Sequence, residues 1–173
     1  MATPPQGLTL EHHRDQATRV EPLVRRVGVA LLVVLCALGL ANFFGQRPGT
    51  SKASAAAASL SVYAPSHLRS GLYFEARFHV TAHRDLKKAT LVLDPGWAEG
   101  ITINTIEPGP IGEASADGKL VLTLGHIPAG KSYILFAQLQ VNPTNVGRRS
   151  QNVELDDGTT PLLRIKRTVT IFP

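Results

Sequence analysis

Two periodicities divide the chain. Between Val27 and Gly45 ("VGVALLVVLCALGLANFFG") there is no charged residue, and Asn42 is the only clearly polar one. A helix of this composition has no polar face, so it belongs in apolar surroundings rather than along a wet surface. At 1.5 Å per residue it would run roughly 28 Å, enough to cross the hydrocarbon core of a bilayer. From Leu60 onward the period becomes two. In "LYFEARFHVTAH", Leu72, Phe74, Ala76, Phe78, Val80 and Ala82 alternate with Tyr73, Glu75, Arg77, His79, Thr81 and His83. The first set would face a core and the second water, as in a half-buried strand.

The alternation recurs along the rest of the chain. "ATLVLDPGW" reads as a strand ending in a Pro-Gly turn, and "GITINTIEP" as another stopped by Pro108-Gly109-Pro110. Asp117-Gly118 signals a turn before the strand "KLVLTLG". "SYILFAQLQV" puts Tyr133, Leu135, Ala137, Leu139 and Val141 on one face. "QNVELDDG" and "LLRIKRTVTIF" complete the set. In the last of these Leu163, Ile165, Val169 and Ile171 form an apolar face that only Arg167 breaks. The expectation is about seven or eight strands over roughly 115 residues, at the turn spacing of an antiparallel sandwich.

The chain is therefore expected to be mainly β, with a cytoplasmic disordered tail over 1–24, a transmembrane helix over 25–46, a Ser/Ala linker over 47–58 and one antiparallel β-sandwich over 59–173. The tail is polar and too poor in apolar residues to fold alone. Pro48-Gly49 is expected to stop the helix. Arg25 and Arg26 abut the apolar run with Arg14 and Arg19 behind them, whereas the other flank carries Arg47 and Lys52. That bias predicts a cytoplasmic N-terminus and an extracytoplasmic C-terminal domain at the cell membrane. The run is longer than a signal-peptide core, and the small residues that would suit a peptidase ("ASAAAAS", Ala53 to Ser59) begin beyond its end. An uncleaved signal anchor is the expectation. Gly28, Ala30, Ala37, Gly39 and Ala41 would let a second membrane helix approach closely.

Composition changes this picture little. The single cysteine, Cys36, lies mid-run, where it can form no intramolecular disulfide and reads as an apolar filler. The net charge is +5, and its basic residues are scattered, so nucleic acid is not an expected partner.

One stretch fits a named chemistry. "GHIPAGKS", Gly125 to Ser132, matches the pattern of a nucleotide-binding P-loop. Such a loop needs a helix after it, whose N-terminus holds the phosphates. The segment after it, "SYILFAQLQV", instead alternates, is rich in aromatic and branched residues, and ends at Asn142-Pro143. The stretch is read as a turn in which Pro128 fixes φ, Gly130 takes a positive φ and Lys131 is solvated. No nucleotide is expected to bind.

The same turn carries a resemblance. "DGKLVLTLGHIPAGKSYILFAQLQV" resembles the second half of the Ig-like conserved-repeat domains of bacterial surface and envelope proteins, through Leu124, Gly125, Ile127, Pro128, Gly130 and Ser132. "LYFEARFHVTAHRDLKKATLVLDPGWAEGITI" is similar to their first half, except that "AHRDLKK" is charged where those domains have Asn and Gly. The resemblance implies an Ig-like fold over most of 60–171 and a spacer, adhesive or docking role.

Other candidate chemistry is thin. His79 and His83 share a strand face, but four residues of strand separate them by roughly 13 Å, too far for one metal. His12-His13 has no evident third ligand. Spacing does not bring Ser66, His67 and Asp85 together, and Asp156-Asp157-Gly158 lacks the oxygen spacing of a calcium loop and reads as a turn. No catalytic residue, cofactor or metal is expected. Trp97 is expected mainly as a core or rim anchor, and as the only Trp it is also a candidate partner contact. Arg148 and Arg149, with Arg164, Lys166 and Arg167, could converge in a hairpin of the last two strands and meet anionic headgroups or an acidic partner. The functional expectation is a non-catalytic, membrane-anchored extracytoplasmic docking protein, accessory to an envelope or membrane-protein complex, with the bilayer and a protein as partners. A structural or adhesive surface module is the alternative, and a P-loop NTPase a remote one.

Overall fold

The computed structural model describes residues 21–43 and 45–173. The tail residues 1–20, including His12-His13, lie outside the described residues. The chain divides into two units, one ending at Phe43 and one beginning at Phe44.

In the first unit, helix α1 spans Glu21–Leu40 and is long and apolar enough to cross a membrane. It ends earlier than Pro48. Asn42 takes a φ of 52°, its N–H bonds the Gly39 carbonyl at 3.0 Å, and the Phe43 N–H bonds the Leu38 carbonyl at 2.9 Å. These two bonds and the left-handed residue make a Schellman cap. The one clearly polar residue of the apolar run is thus the helix stop, because Asn tolerates the left-handed conformation better than its neighbours.

The second unit is all β. Its strands are β1 (Pro48–Ser54), β2 (Ala58–Pro65), β3 (His67–Arg69), β4 (Tyr73–Ala82), β5 (Leu86–Leu93), β6 (Ile101–Glu107), β7 (Gly112–Ala116), β8 (Lys119–Ile127), β9 (Ser132–Val141), β10 (Gly147–Ser150), β11 (Val153–Asp157), β12 (Thr160–Ile165) and β13 (Thr168–Phe172). Sheet A has the order β1-β2-β4-β9-β6, sheet C the order β12-β11-β5-β8-β7, and a small sheet B the order β10-β13-β3. All pairs are antiparallel except β13 with β3.

The alternation read from the sequence sets which side is buried. In β4, Phe74, Ala76, Phe78, Val80 and Ala82 are buried, while Leu72, just before the strand, is exposed. In β9, Leu135, Ala137, Leu139 and Val141 are buried. They pack with Leu60 and Val62 of β2, Leu91 and Leu93 of β5, Leu122 and Leu124 of β8, and Val153 and Leu155 of β11 in one apolar core. Two turns hold where their residues predict them. Asp117 (φ 51°) and Gly118 (φ 74°) join β7 to β8, as a two-residue type I′ hairpin requires. Gly158 (φ 64°) turns β11 into β12.

Two expectations are corrected. The stretch expected as a linker is an edge strand: β1 pairs with β2 from Pro48↔Pro65 to Ser54↔Ser59. Small residues give it no visible period, but its partner's backbone supplies the hydrogen bonds that hold it. The number of strands also rises to thirteen among the described residues. "LLRIKRTVTIF" is not one strand. It breaks at Lys166-Arg167, where the chain leaves sheet C for sheet B.

Arg167 explains that break. Its guanidinium Nη2 donates to the carbonyls of Ala64 (3.1 Å) and Pro65 (3.0 Å) at the end of β2. Its Cζ lies 5.3 Å from the centroid of the Trp97 ring. Its backbone N–H donates to Asn152 Oδ1 at 3.0 Å, and its carbonyl accepts from the Gln151 N–H at 3.0 Å. Burial pushes its pKa down to about 10, so it stays charged at neutral pH. Trp97, in the short turn Pro95–Trp97, is 1% exposed. It packs on Phe78 (5.1 Å, 58° between rings) and donates from Nε1 to the Asn152 carbonyl at 3.3 Å. Gly96 lets the Ser150 carbonyl approach so closely that any Cβ there would collide with it.

Stability measurements test these contacts. Arg167→Lys exchanges a planar guanidinium, which lies over the indole while its Nη2 reaches both carbonyls, for a compact and more strongly hydrated ammonium, so it should lower the unfolding free energy by about 1–3 kcal/mol in a denaturant titration. Arg164→Lys, at an exposed ion pair with Glu154 (2.9 Å), should cost under about 1 kcal/mol. Asp156 has its pKa raised above the ordinary 3.8, first by burial and then by Glu154, with Lys119 opposing. A carboxyl so raised favours the fold when protonated, and that contribution is lost as pH rises past 3.8 through the raised pKa. Asp156→Asn should therefore raise Tm at pH 7 more than at pH 3.

Candidate functional site

The outward face of sheet A carries two exposed large apolar side chains, Ile134 and Phe136, on one strand. Register sets its rows. Thr50, Tyr63, Arg77, Phe136 and Glu107 lie side by side across the five strands. Lys52, Ser61, His79 and Ile134 form the next row, and Ser54, Ser59, Thr81 and Ser132 the one after. Ile134 and Phe136 are 43% and 42% exposed on the water side of β9. Arg77 stacks over the Tyr63 ring at 4.4 Å and pairs through Nε with Glu75 at 3.1 Å. Thr50, Ser61, Tyr63, Arg77, His79, Ile134 and Phe136 line an open depression of about 270 Å3. Ser61 and His79 also line a neighbouring open trough with Lys52, Ser59 and Thr81.

This arrangement can do three things. It offers flat apolar and aromatic surface, a planar cation already held by a neighbouring ring, and hydroxyls for hydrogen bonds. Those are the ingredients of recognition by stacking and burial. Among the described residues no group of three or more His, Cys, Asp or Glu side chains converges as a metal site would.

The residues singled out from sequence fall elsewhere. Trp97 is not a surface contact: the Phe78 ring and Arg167 cover it. The basic residues sit on three stretches of chain. Arg164 lies on β12 against Glu154 (2.9 Å) and Asp94 (3.7 Å), so carboxylates answer its charge. Arg148 and Arg149 lie on β10, across from Thr170 and Val169 of β13 in the other sheet. Lys166 is exposed in the link between β12 and β13. β12 and β13 are not the expected hairpin, and the Asp94 carboxylate that Arg164 approaches also accepts from Ser150 Oγ at 2.6 Å, beside Arg149.

"GHIPAGKS" joins β8 to β9. The Lys131 N–H bonds the Pro128 carbonyl at 3.0 Å, Gly130 has a φ of 75°, and strand β9 begins at Ser132. The turn is stitched to the end of β4 by Gly130 N–H to Ala82 O (2.8 Å) and Ala82 N–H to Lys131 O (2.9 Å). The strand-to-helix geometry of a phosphate loop is not what these residues form. Ser66 Oγ lies 3.1 Å from His67 Nδ1, but Asp85 pairs with His126 at 2.8 Å instead. Asp157 uses its carboxylate to accept the Lys88 N–H at 2.8 Å.

Alternation alone misses the sheet A face, although a signal exists. "SYILFAQLQV" carries apolar residues on both sides at Ile134 and Phe136, which one buried face cannot explain. The surface assignment is checked by stability. Ile134→Ser and Phe136→Ser should each change the unfolding free energy by less than about 0.5 kcal/mol, whereas Leu135→Ala between them should cost about 2–5 kcal/mol.

No protein-family model matches the chain, and no curated protein matches it. Among solved structures it is similar to AvmM, which catalyses macrocyclization in alchivemycin A biosynthesis (6% identity, TM-score 0.44, covering 75% of this chain and 90% of that one). It is similar also to a non-cellulosomal cohesin from the hyperthermophilic archaeon Archaeoglobus fulgidus (11%, TM-score 0.37, 61% and 84%). A third likeness is to a von Willebrand factor type A protein from Catenulispora acidiphila (18%, TM-score 0.34, 50% and 23%). These likenesses are too loose to bear on what the chain binds.

Proposed function

We propose that the chain is a non-catalytic, single-pass membrane protein whose extracytoplasmic Ig-like β-sandwich docks on a protein partner through the outward face of sheet A. The supporting observation is the pair Ile134 and Phe136, exposed on a strand whose other side is core, beside the Arg77–Tyr63 stack. Contiguous apolar surface with aromatic and arginine neighbours is what interface centres are made of. The apolar helix α1 supplies an uncleaved anchor, and Arg25 and Arg26 at its N-terminal part favour a cytoplasmic start. An anchored docking module of this kind serves as the accessory subunit of an envelope or membrane complex.

The test is extraction of the tagged full-length protein in mild detergent, with the wild type compared against the Ile134→Ser, Phe136→Ser double variant. A stoichiometric partner present with the wild type, lost with the double variant and kept with Ile111→Ser, an exposed position bonded to Thr123 of β8 in sheet C, is the expected outcome. A partner that survives the double variant unchanged moves docking away from this face.

A further inference from the structure

A second amphipathic surface lies at one end of the β domain. Three of the six exposed large apolar side chains described in this unit, Leu72, Tyr73 and Val146, are there. The ladders place them together. The Val141 N–H bonds the Leu72 carbonyl at 3.0 Å, and Tyr73 opens β4 across from Gln140. Phe172 pairs with Arg69, and Gly147 with Ile171, so Val146 comes level with the Phe172–Arg69 pair. Arg69 and Arg148 are exposed around this group, and Arg69 Nε donates to the Pro173 carbonyl at 3.4 Å. The nearby carboxylates are Glu99 in the neighbouring loop and Glu75, which pairs with Arg77.

This is also the end at which the chain joins the domain. Gln46 Nε2 donates to the Tyr73 carbonyl at 2.5 Å, and the Ser66 N–H bonds the Arg47 carbonyl at 2.9 Å. In sequence only five residues separate Leu40, the last of α1, from Gln46.

We propose that this end is a membrane-surface contact, with Tyr73, Leu72 and Val146 at headgroup level and Arg69 and Arg148 meeting anionic lipid headgroups. The contact rests on the reading of α1 as a membrane anchor. Tyrosine with a leucine beside it suits the interface, where a ring can keep its hydroxyl wet and its body dry. Each arginine near an anionic surface is worth roughly fivefold in partition. A short tether makes the encounter intramolecular, so weak contacts suffice to hold the domain down. The consequence is that the sheet A face, which runs along β4 and β9 away from this end, is presented in a fixed attitude.

The test uses the full chain in lipid nanodiscs containing phosphatidylglycerol, with a nitroxide on one cysteine at a time. The positions are native Cys36, and Leu72→Cys, Val146→Cys or Ile134→Cys in a Cys36→Ser background. Accessibility to a water-soluble nickel chelate is compared with accessibility to oxygen. The expected result is shielding from nickel at 36, 72 and 146 and full access at 134. Arg69→Glu with Arg148→Glu, or discs of phosphatidylcholine alone, should raise nickel access at 72 and 146 toward the level at 134. If 36 is shielded while 72 and 146 match 134 in anionic discs, the contact is wrong and the anchor stands. If 36 is open to nickel, the anchor reading fails and the contact falls with it.

Discussion

The β domain hangs on a largely buried cation. Among the described residues no carboxylate pairs with Arg167, and taking a guanidinium out of water without one is costly. Two carbonyls at the end of β2 and the face of Trp97 offset that cost. The carbonyls and the ring come from two separate stretches, the end of β2 and the turn after β5, while Gln151 and Asn152 hold the arginine's own backbone. Its Nε and Nη1 stay buried without a hydrogen-bond partner among the described residues. The three stretches are far apart in sequence, so the arginine makes these contacts only when all three have arrived. It therefore makes the assembly of the sheets conditional on one another. A hydrophobic residue in its place would pack, but would leave the Ala64 and Pro65 carbonyls without this donor.

Much of the fold was legible because the buried faces alternate cleanly. The core positions of β4 and β9 come directly from period two, and Asp117-Gly118 and Gly158 turn where their backbone freedom says they should. The parts that were not legible depend on long-range pairing. β1 has no hydrophobic period and becomes a strand only because β2 offers it an edge. The break after Ile165 depends on where Arg167 finds its carbonyls, more than a hundred residues back along the chain. Arg167 was visible as the one exception in an apolar face, and such exceptions mark places where a local rule gives way to a tertiary contact.

The candidate face was half legible for a similar reason. Alternation points the outward β4 residues toward water, as they are, but it treats that side as mere solvent boundary. Which outward residues become neighbours is decided by register, and register joins Tyr63, Arg77 and Phe136 from three strands. The basic residues depend on pairing in the same way, since the hairpin expected of the last two strands does not form. β12 and β13 go to different sheets, and Arg164 meets Glu154 and Asp94.

The small-residue run from Ala53 to Ser59 has a further consequence, because it forms the turn between β1 and β2. Ala57 and Ala58 are buried there, and the Ala57 carbonyl accepts from the N–H groups of both His83 (2.9 Å) and Arg84 (3.1 Å). A peptidase must draw several residues into extended form in its own cleft, which this hairpin does not allow while it is closed. A closed hairpin therefore offers a peptidase no extended segment between Ala53 and Ser59, whatever the residues there would suit.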